Sequence, residues 1–249
     1  MILYPNAKIN IGLNILSKRD DGFHNLSSVF YPIYNCYDVI EIIKSDTFMF
    51  TTSGLKIPYG KNLCVRAYEK IQSIYNISPV HIHLHKMIPI GSGLGGGSSN
   101  ASFILKGLNE IFNLNLSFKE LEKISSEIGS DCPFFIDNTP KTVTGKGEIM
   151  FDIDLDLSHF EIKLIHSKVN ISTQEAFSNI KPKPIDSNID KSILSSIKDW
   201  KKNIINDFEE NIFKIYPELQ LNKESLYKSG ALFASMSGTG STVYGIFNK

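Results

Sequence analysis

Pro89-Ile90-Gly91-Ser92-Gly93-Leu94-Gly95-Gly96-Gly97-Ser98-Ser99-Asn100 is the stretch that decides how this chain folds, with five glycines in seven positions. Before it, residues 80–85 alternate apolar and polar side chains, as a half-buried strand does. After it, apolar residues from Ala101 to Ile111 recur with helical spacing. The order of strand, glycine loop and helix predicts a phosphate site, because bare backbone N–H groups and a helix N-terminus attract anions.

Other uses of a glycine-rich loop fit this stretch less well. A flexible Gly/Ser linker would not contain Leu94 or lie between two well-patterned elements. Residues 91–96 match G-x-G-x-x-G, but residues 86–90 separate the glycines from the strand, whereas a dinucleotide-binding turn follows its strand directly. Ser98 stands where a P-loop needs Lys and where a protein-kinase loop has Val. A dinucleotide site stays open as an alternative at this point.

The bulk composition predicts an ordinary soluble globular protein. The 249 residues are 42% hydrophobic, and 26 basic side chains balance 26 acidic ones. We therefore expect neither a nucleic-acid nor an acidic-membrane partner. Cys36, Cys64 and Cys132 are odd in number and lack a C-x-x-C pair, which argues against disulfides and zinc and favours the cytoplasm. No signal or membrane-spanning pattern is present in the sequence.

Periodicity and capping signals predict the remaining elements. Residues 9–15 and 161–166 read as strands, 26–43 as one or two strands, and 142–145 with 148–153 as a strand pair. Helices are predicted at 62–75 with Asn62 as N-cap, at 98–112, and from a Ser117–Glu120 capping box to 128. A helix capped by Ser172, helices at 189–200, 207–215 and 217–228, and strands at 231–236 and 242–247 complete the prediction. A polar break at 152–158 predicts domains of residues 1–156 and 157–249.

Several polar residues have plain interpretations when taken alone. Lys8 and Asn10 share one face of the first strand, where a lysine is usually a solvated charge. His24 follows the Asp21-Gly22 turn signal, as many surface histidines do. Asp131 lies in a Ser-Asp-x-Pro turn, and the second glycine loop, residues 237–241, could be a simple hairpin. His81, His83 and His85 alternate on one strand, which is a poor tetrahedral cage for a metal.

Together, these segments resemble the superfamily of galactokinase, homoserine kinase, mevalonate kinase and phosphomevalonate kinase. Three motifs carry the resemblance in the right order: Ala7-Lys8-Ile9-Asn10, the run from Gly93 to Ala101, and Ser237-Gly238-Thr239-Gly240-Ser241. The resemblance spans residues 7–247. It implies an α+β, two-domain GHMP kinase fold, with an N-terminal domain like ribosomal protein S5 domain 2 and a ferredoxin-like C-terminal domain. It also implies phosphorylation of an alcohol by ATP with Mg²⁺.

The resemblance also assigns roles residue by residue. Lys8 and Asp131 would be catalytic, with Asp131 accepting the hydroxyl proton. The nucleotide would be bound by every residue from Pro89 to Asn100, with Ser98 also on Mg²⁺, and by Asn62, Leu63 and Lys86. The substrate would be bound by Asn10, Phe23, His24, Phe30, Thr173, Phe177, Gly238, Thr239 and Gly240.

The Phe23-His24 turn resembles the branch of the superfamily that acts on a cytidine-diphosphate sugar-alcohol in the non-mevalonate isoprenoid pathway. By that resemblance Phe23 and Phe177 would sandwich the cytosine, while His24 would hydrogen-bond its edge. The enzyme would phosphorylate the 2-hydroxyl of this small molecule, as a cytoplasmic monomer or homodimer. Rival interpretations are another small-molecule kinase of the superfamily and a nucleotide-binding relative without turnover.

Three departures from the family pattern stand out. Phe23 replaces a Tyr, which keeps a stacking ring and loses a hydroxyl. Ser130 replaces an Ala next to the predicted catalytic acid. The sequence ends two residues after Phe247, whereas family members continue through a further helix–strand unit, so we expect a shortened C-terminal domain.

Overall fold

The computed structural model describes residues 1–58, 62–178, 180–183 and 189–249. They form two compact units, each assembled from separated segments of the chain. The first unit comprises residues 1–8, 32–90 and 95–139, and the second comprises residues 9–31, 91–94 and 140–249. The glycine stretch therefore contributes residues to both units. The predicted division at residue 156 stays a prediction.

In chain order the strands are β1 (Ile2–Leu3), β2 (Asn6–Lys18), β3 (His24–Tyr37), β4 (Val39–Lys44), β5 (Met49–Gly54), β6 (Val80–Lys86), β7 (Lys141–Thr144), β8 (Ile149–Asp152), β9 (Phe160–Ile165), β10 (Phe233–Met236) and β11 (Val243–Asn248). The helices are α1 (Leu63–Tyr75), α2 (Gly96–Ile111), α3 (Phe118–Ser126), α4 (Phe134–Asp137), α5 (Thr173–Phe177), α6 (Ile189–Ile193), α7 (Ile197–Asn203), α8 (Glu209–Ile215) and α9 (Pro217–Lys228).

The first unit is a sheet with helices packed on one face. Its strand order is β1-β4-β6-β5, in which β5 runs parallel to β6 and the other pairs are antiparallel. Apolar side chains of β4 and β6 meet those of α1 and α2 in one core, as expected when alternate strand residues face a helical layer. Oγ1 of Thr51 on β5 lies 2.8 Å from a ring nitrogen of each of two β6 residues, His81 and His83.

Two further sheets are built mainly from residues of the second unit. Strands in the order β2-β3-β7-β8 form one, and β10-β11-β9 form an antiparallel sheet covered by α9. Its core brings Leu13 and Ile15 of β2 together with Phe208, Ile212, Leu219 and Leu226 of the helical segment. No helix among the described residues is both long and apolar enough to span a bilayer.

Most predicted elements are confirmed, including two of the capping devices. The Asn62 side chain accepts from Cys64 N–H at the start of α1, and Ser117 with Glu120 forms a complete capping box on α3. One prediction was wrong. The single helix predicted at 189–200 is broken into α6 and α7, where Ser195 N–H turns back to the Ser192 carbonyl. Strand β5 was not foreseen, because its exposed Thr-Thr-Ser segment lacks an alternating apolar pattern.

Candidate active site

Gly95 forms the turn by which the glycine stretch enters α2 in the first unit. It is the helix N-cap at φ +70°, a left-handed conformation that favours glycine. A Cβ at this position would lie 3.0 Å from the Phe135 ring and 3.1 Å from Cγ of Lys8. The Lys8 side chain therefore passes directly against the turn, which has no room for a larger residue.

Lys8 and Asp131, the two predicted catalytic residues, form an ion pair in the first unit. Lys8 Nζ lies 3.5 Å from Asp131 Oδ2, and the two side chains are 5% and 30% exposed. Burial lowers the pKa of Lys8 below its ordinary value of 10.5, and the nearby Asp131 carboxylate partly opposes that shift. An acid within reach of solvent beside a buried amine is an arrangement suited to proton and phosphoryl chemistry.

A short turn after α3 presents the Asp131 carboxylate. Cys132 N–H bonds the Gly129 carbonyl, and the Ser130 hydroxyl donates to Asp131 Oδ1 at 3.3 Å. The buried residues Cys132, Phe134 and Phe135 anchor the far side of the turn. Burial raises the pKa of the Cys132 thiol to about 11, so this cysteine is a structural residue and a poor nucleophile at neutral pH.

The first turn of α2 carries polar side chains with unfulfilled hydrogen-bonding capacity. Ser99 Oγ and Asn100 Oδ1 are buried and have no hydrogen-bond partner within the described part of the protein. The Ser98 hydroxyl hydrogen-bonds the Cys132 thiol. Buried polar groups in a folded protein are nearly always satisfied. Buried oxygens without a partner at a helix N-terminus indicate a site for a hydrogen-bonding ligand, and the open N–H groups there favour an anion.

The other predicted nucleotide residues differ in their surroundings. Leu63 is 3.7 Å from the position of a Cβ on Gly97, while the Asn62 side chain is occupied as the cap of α1. Lys86 does not point to solvent: its ammonium is buried and lies 2.5 Å from Asp38 Oδ2. Leu94 is fully buried, so only its backbone can meet a ligand. Pro89 is half-buried, and Ile90 and Gly91 are exposed.

In the second unit, one buried hydroxyl joins the first part of the glycine stretch to the second glycine loop. Ser237 Oγ accepts from Asn10 N–H at 3.1 Å and donates to the Gly93 carbonyl at 2.9 Å. A Cβ on Gly93 would lie 2.0 Å from the Ser237 carbonyl oxygen, at φ +77°. Thr242 N–H also bonds the Ser92 carbonyl. The backbones of the two loops approach so closely at Gly93 that this position requires glycine.

Asn10 is held in the same cluster. Its side-chain Nδ2 donates to the Ser28 hydroxyl at 2.8 Å, and that hydroxyl donates to the Gly12 carbonyl. A Cβ at the position of Gly238 would lie 3.2 Å from Asn10 Oδ1. Asn10 and Gly238, both predicted to bind substrate, are thus brought together. Thr239 of the same loop is half-buried, and Gly240 is buried.

The residues predicted to hold cytosine are only partly arranged as expected. The rings of His24 and Phe177 stack on each other, with centroids 4.9 Å apart and planes 24° apart, so this pair does not flank an open slot. Phe23 is 56% exposed, and the Lys146 ammonium lies 4.8 Å from the centroid of its ring. Thr173 is exposed one helical turn before Phe177, whereas Phe30 is 3% exposed and offers almost no ring surface.

Three residues with clear structural roles near these loops were missed from the sequence. Asp38 binds Lys86, and Ser237 joins the two loops, although it was quoted only as part of a motif. Asn206 is buried, and its Nδ2 donates to the Met236 and Gly238 carbonyls at 2.8 Å. The available signal for Asp38 was an acid within the mostly apolar residues 29–43, since buried Asp is rare unless paired.

Comparison with known proteins identifies the class first. Family models match residues 62–139 as GHMP kinases N terminal domain and residues 191–249 as GHMP kinases C terminal. Among curated relatives, the 4-diphosphocytidyl-2-C-methyl-D-erythritol kinase of Cytophaga hutchinsonii is 47% identical over 252 residues, covering 100% of this chain and 93% of its own. That of Parabacteroides distasonis is 45% identical over 251 residues, covering 100% and 92%. The chain belongs to the 4-diphosphocytidyl-2-C-methyl-D-erythritol kinase family of GHMP kinases.

Solved structures agree with this assignment. A crystal structure of 4-(cytidine 5'-diphospho)-2C-methyl-D-erythritol kinase superposes with a TM-score of 0.85 at 25% identity, covering 99% of this chain and 90% of that one. The crystal structure of the Methanococcus jannaschii mevalonate kinase superposes with a TM-score of 0.70 at 18% identity, covering 100% of this chain and 90% of that one. At this identity the similarity supports the shared fold only. The predicted fold class is confirmed, and the protein is an ATP-dependent small-molecule kinase. The dinucleotide alternative is thereby set aside.

Proposed function

We propose that this kinase transfers the γ-phosphoryl group of ATP to the 2-hydroxyl of 4-diphosphocytidyl-2-C-methyl-D-erythritol. The observation that carries the proposal is the Lys8–Asp131 pair, which lies against the glycine turn at the start of α2. Phosphoryl transfer depends mainly on positioning and on charge neutralisation. A helix N-terminus, a buried amine and a carboxylate supply these needs without covalent catalysis.

In this proposal the triphosphate of ATP binds at the N-terminus of α2. The open N–H groups of residues 95–98 and the positive end of the helix dipole would hold the phosphates. The buried Ser99 Oγ and Asn100 Oδ1 lack partners in the described part of the chain. These oxygens are suited to accept hydrogen bonds from the bound nucleotide or from groups that surround it. Leu63, beside Gly97, would contribute an apolar surface for the adenine.

Asp131 would accept the proton of the substrate hydroxyl as its oxygen attacks the γ-phosphorus. The 30% exposure of its side chain leaves the carboxylate within reach of a ligand. Lys8, held 3.5 Å away, would stay protonated and offset negative charge on the transferring phosphoryl group. When the bond to the β-phosphate oxygen breaks, ADP leaves and the proton remains on Asp131 until solvent removes it.

Mg²⁺ is expected to accompany ATP, and the available donors suit it. No group of three or more His, Cys, Asp or Glu side chains in the described ranges could hold a metal by itself. Mg²⁺ commonly keeps several waters and binds through substrate phosphates with few protein ligands. The Ser98 hydroxyl, at the first turn of α2, would hold the ion, which when bound neutralises phosphate charge.

His24 and Phe177 would recognise the cytidine part of the substrate. Because their rings already stack, the base would lie against the outer face of this pair or against Phe23, which is exposed. Burial and the Lys18 charge lower the pKa of His24. The ring is therefore neutral at pH 7, where it has one donor and one acceptor nitrogen. Asn10, with Gly238 and Thr239, would contact the end of the substrate that carries the 2-hydroxyl to be phosphorylated.

The experiment that tests the proposed substrate compares alcohols at equal ATP. The purified protein is assayed for ADP formation with the cytidine-linked methylerythritol, with mevalonate and with homoserine. We expect turnover only with the first, with a kcat/KM at least about a hundredfold above that of the others. Turnover of mevalonate or homoserine at a comparable rate would assign the chain to another kinase, and ATP binding without turnover of any alcohol would identify a non-catalytic relative.

We further propose a cytoplasmic enzyme that acts as a monomer or homodimer. Free Cys36, Cys64 and Cys132 support a reducing compartment. Sedimentation velocity at micromolar protein would decide between the two oligomeric states.

A further inference from the structure

Asp38 stands at the junction between β3 and β4 and is completely buried. Its Oδ2 accepts from the Lys86 ammonium at 2.5 Å, while its Oδ1 accepts from Met87 N–H at 2.6 Å and Ile88 N–H at 2.8 Å. One carboxylate thus binds three consecutive residues at the point where β6 ends. A buried carboxylate is costly unless it is paired and hydrogen-bonded in this way.

The residues that Asp38 holds lie directly under the first residue of α2. A Cβ on Gly96 would be 2.9 Å from Cγ2 of Ile88 and 3.0 Å from Nζ of Lys86. The Lys86 carbonyl is fixed as well, because it accepts from Leu55 N–H at 2.8 Å. The position of the Lys86–Ile88 segment therefore determines where the N-terminus of α2 can sit.

The charge of Asp38 also matters at this place. Burial lowers the pKa of Lys86, and the Asp38 carboxylate is the main opposing influence. Without that carboxylate, a buried lysine would lie beside the positive end of the α2 dipole, where a cation is unfavourable. The ammonium would then lose its proton or move, and in either case the support of Gly96 would change.

We propose that Asp38 is a positioning residue for ATP: it holds the Lys86–Ile88 segment and thereby sets the N-terminus of α2 that receives the triphosphate. Asp38 itself does not touch the nucleotide. The inference rests on the proposed binding of ATP at α2. It assigns to Lys86 the role of a buried support for the loop, in place of a direct contact through its side chain.

The test measures KM for ATP, KM for the cytidine substrate, kcat and thermal unfolding for Asp38→Asn, Lys86→Met and the double variant. Asn keeps the shape and one acceptor for the backbone N–H groups but leaves the Lys86 charge unpaired. We expect Asp38→Asn to raise KM for ATP at least about tenfold, with a smaller change in kcat and in KM for the cytidine substrate. The double variant, which removes both charges, should have a lower KM for ATP than either single variant.

Leu108→Ala is the matched control. Leu108 is fully buried on the same helix, about two turns beyond the end of the glycine stretch, so its truncation should lower the unfolding temperature and leave KM for ATP unchanged. The inference is overturned if Asp38→Asn raises KM for ATP no more than Leu108→Ala does, or raises both KM values equally. Should Asp38→Asn fail to fold, Lys86→Met decides the question by the same comparison. A wild-type protein that bound no ATP analogue in calorimetry would instead refute the nucleotide site itself.

Discussion

Gly95→Ala is the substitution whose effect the structure defines most closely. Gly95 has φ +70°, and placing Ala in the left-handed region costs about 1–2 kcal/mol. The new methyl group would lie 3.0 Å from the buried Phe135 ring and 3.1 Å from Lys8 Cγ. Both contacts are too close, and overpacking of this kind costs about a further 1–3 kcal/mol. The free energy of unfolding should therefore fall by about 2–5 kcal/mol.

The effect of Gly95→Ala on catalysis depends on which neighbour the new methyl group displaces. Phe135 is a rigid, fully buried ring, whereas Lys8 has a flexible side chain, and its displacement lengthens the 3.5 Å contact with Asp131. Misplacement of a catalytic group by about 1 Å can cost a hundredfold in rate. We expect kcat for the cytidine substrate to fall by at least about tenfold, measured by coupled ADP release at saturating ATP.

Gly230→Ala separates backbone strain from contact with Lys8. Gly230 has φ +95°, but a Cβ there would meet nothing within 4 Å. This variant should lose only the strain, about 1–2 kcal/mol, or about 2–8 °C in unfolding temperature, with normal kcat. If Gly95→Ala and Gly230→Ala were equally active and equally stable, the placement of Lys8 against the glycine turn would be refuted.

Three other variants or conditions test separate parts of the account. Because the pKa of Lys8 is lowered from 10.5, kcat/KM should fall on the alkaline side as the folded enzyme loses this proton. Folding stability should not fall there, because above the lowered pKa the unfolded chain holds this proton more fully than the folded protein does. An alkaline limb of kcat/KM that is unchanged in Lys8→Arg would contradict this. His24→Ala should raise KM for the cytidine substrate about tenfold and leave KM for ATP unchanged, with the exposed His85→Ala as control; equal effects on both KM values would remove His24 from the pyrimidine site. Ser237→Ala leaves the Asn10 N–H and the Gly93 carbonyl without their shared partner and should lower stability by about 1–3 kcal/mol in urea denaturation; wild-type stability would show that the hydroxyl does not hold the loops together.

Local features of this protein could be predicted from its sequence because they depend on neighbouring residues. The caps at Asn62 and Ser117 require only a few adjacent positions, and both are confirmed. The alternation in β6 and the apolar spacing in α2 likewise reflect one buried face. Where those signals were weak the predictions were wrong, as in the break at Ser195 and Ser196 between α6 and α7.

Contacts between distant segments could not be predicted from local pattern. Nothing in residues 7–10 or 129–133 alone indicates that Lys8 and Asp131 meet, and only the resemblance to a kinase superfamily related them. Asp38 was overlooked because the strands around it are mostly apolar, and its partners, residues 86–88, lie at the end of another strand. Lys8 and Asn10 of β2 are also buried, at 4% and 3% exposed, because partners in the fold satisfy their polar side chains.

The most direct test of the central claim is single-turnover phosphoryl transfer by Asp131→Asn, measured with labelled ATP and the cytidine substrate. Asn keeps the size of the side chain but cannot accept the hydroxyl proton. We predict that the transfer rate falls by about a hundredfold or more, while the Kd for a non-hydrolysable ATP analogue stays within about twofold of wild type. Transfer at a rate close to that of the wild type would contradict the assignment of Asp131 as the proton acceptor.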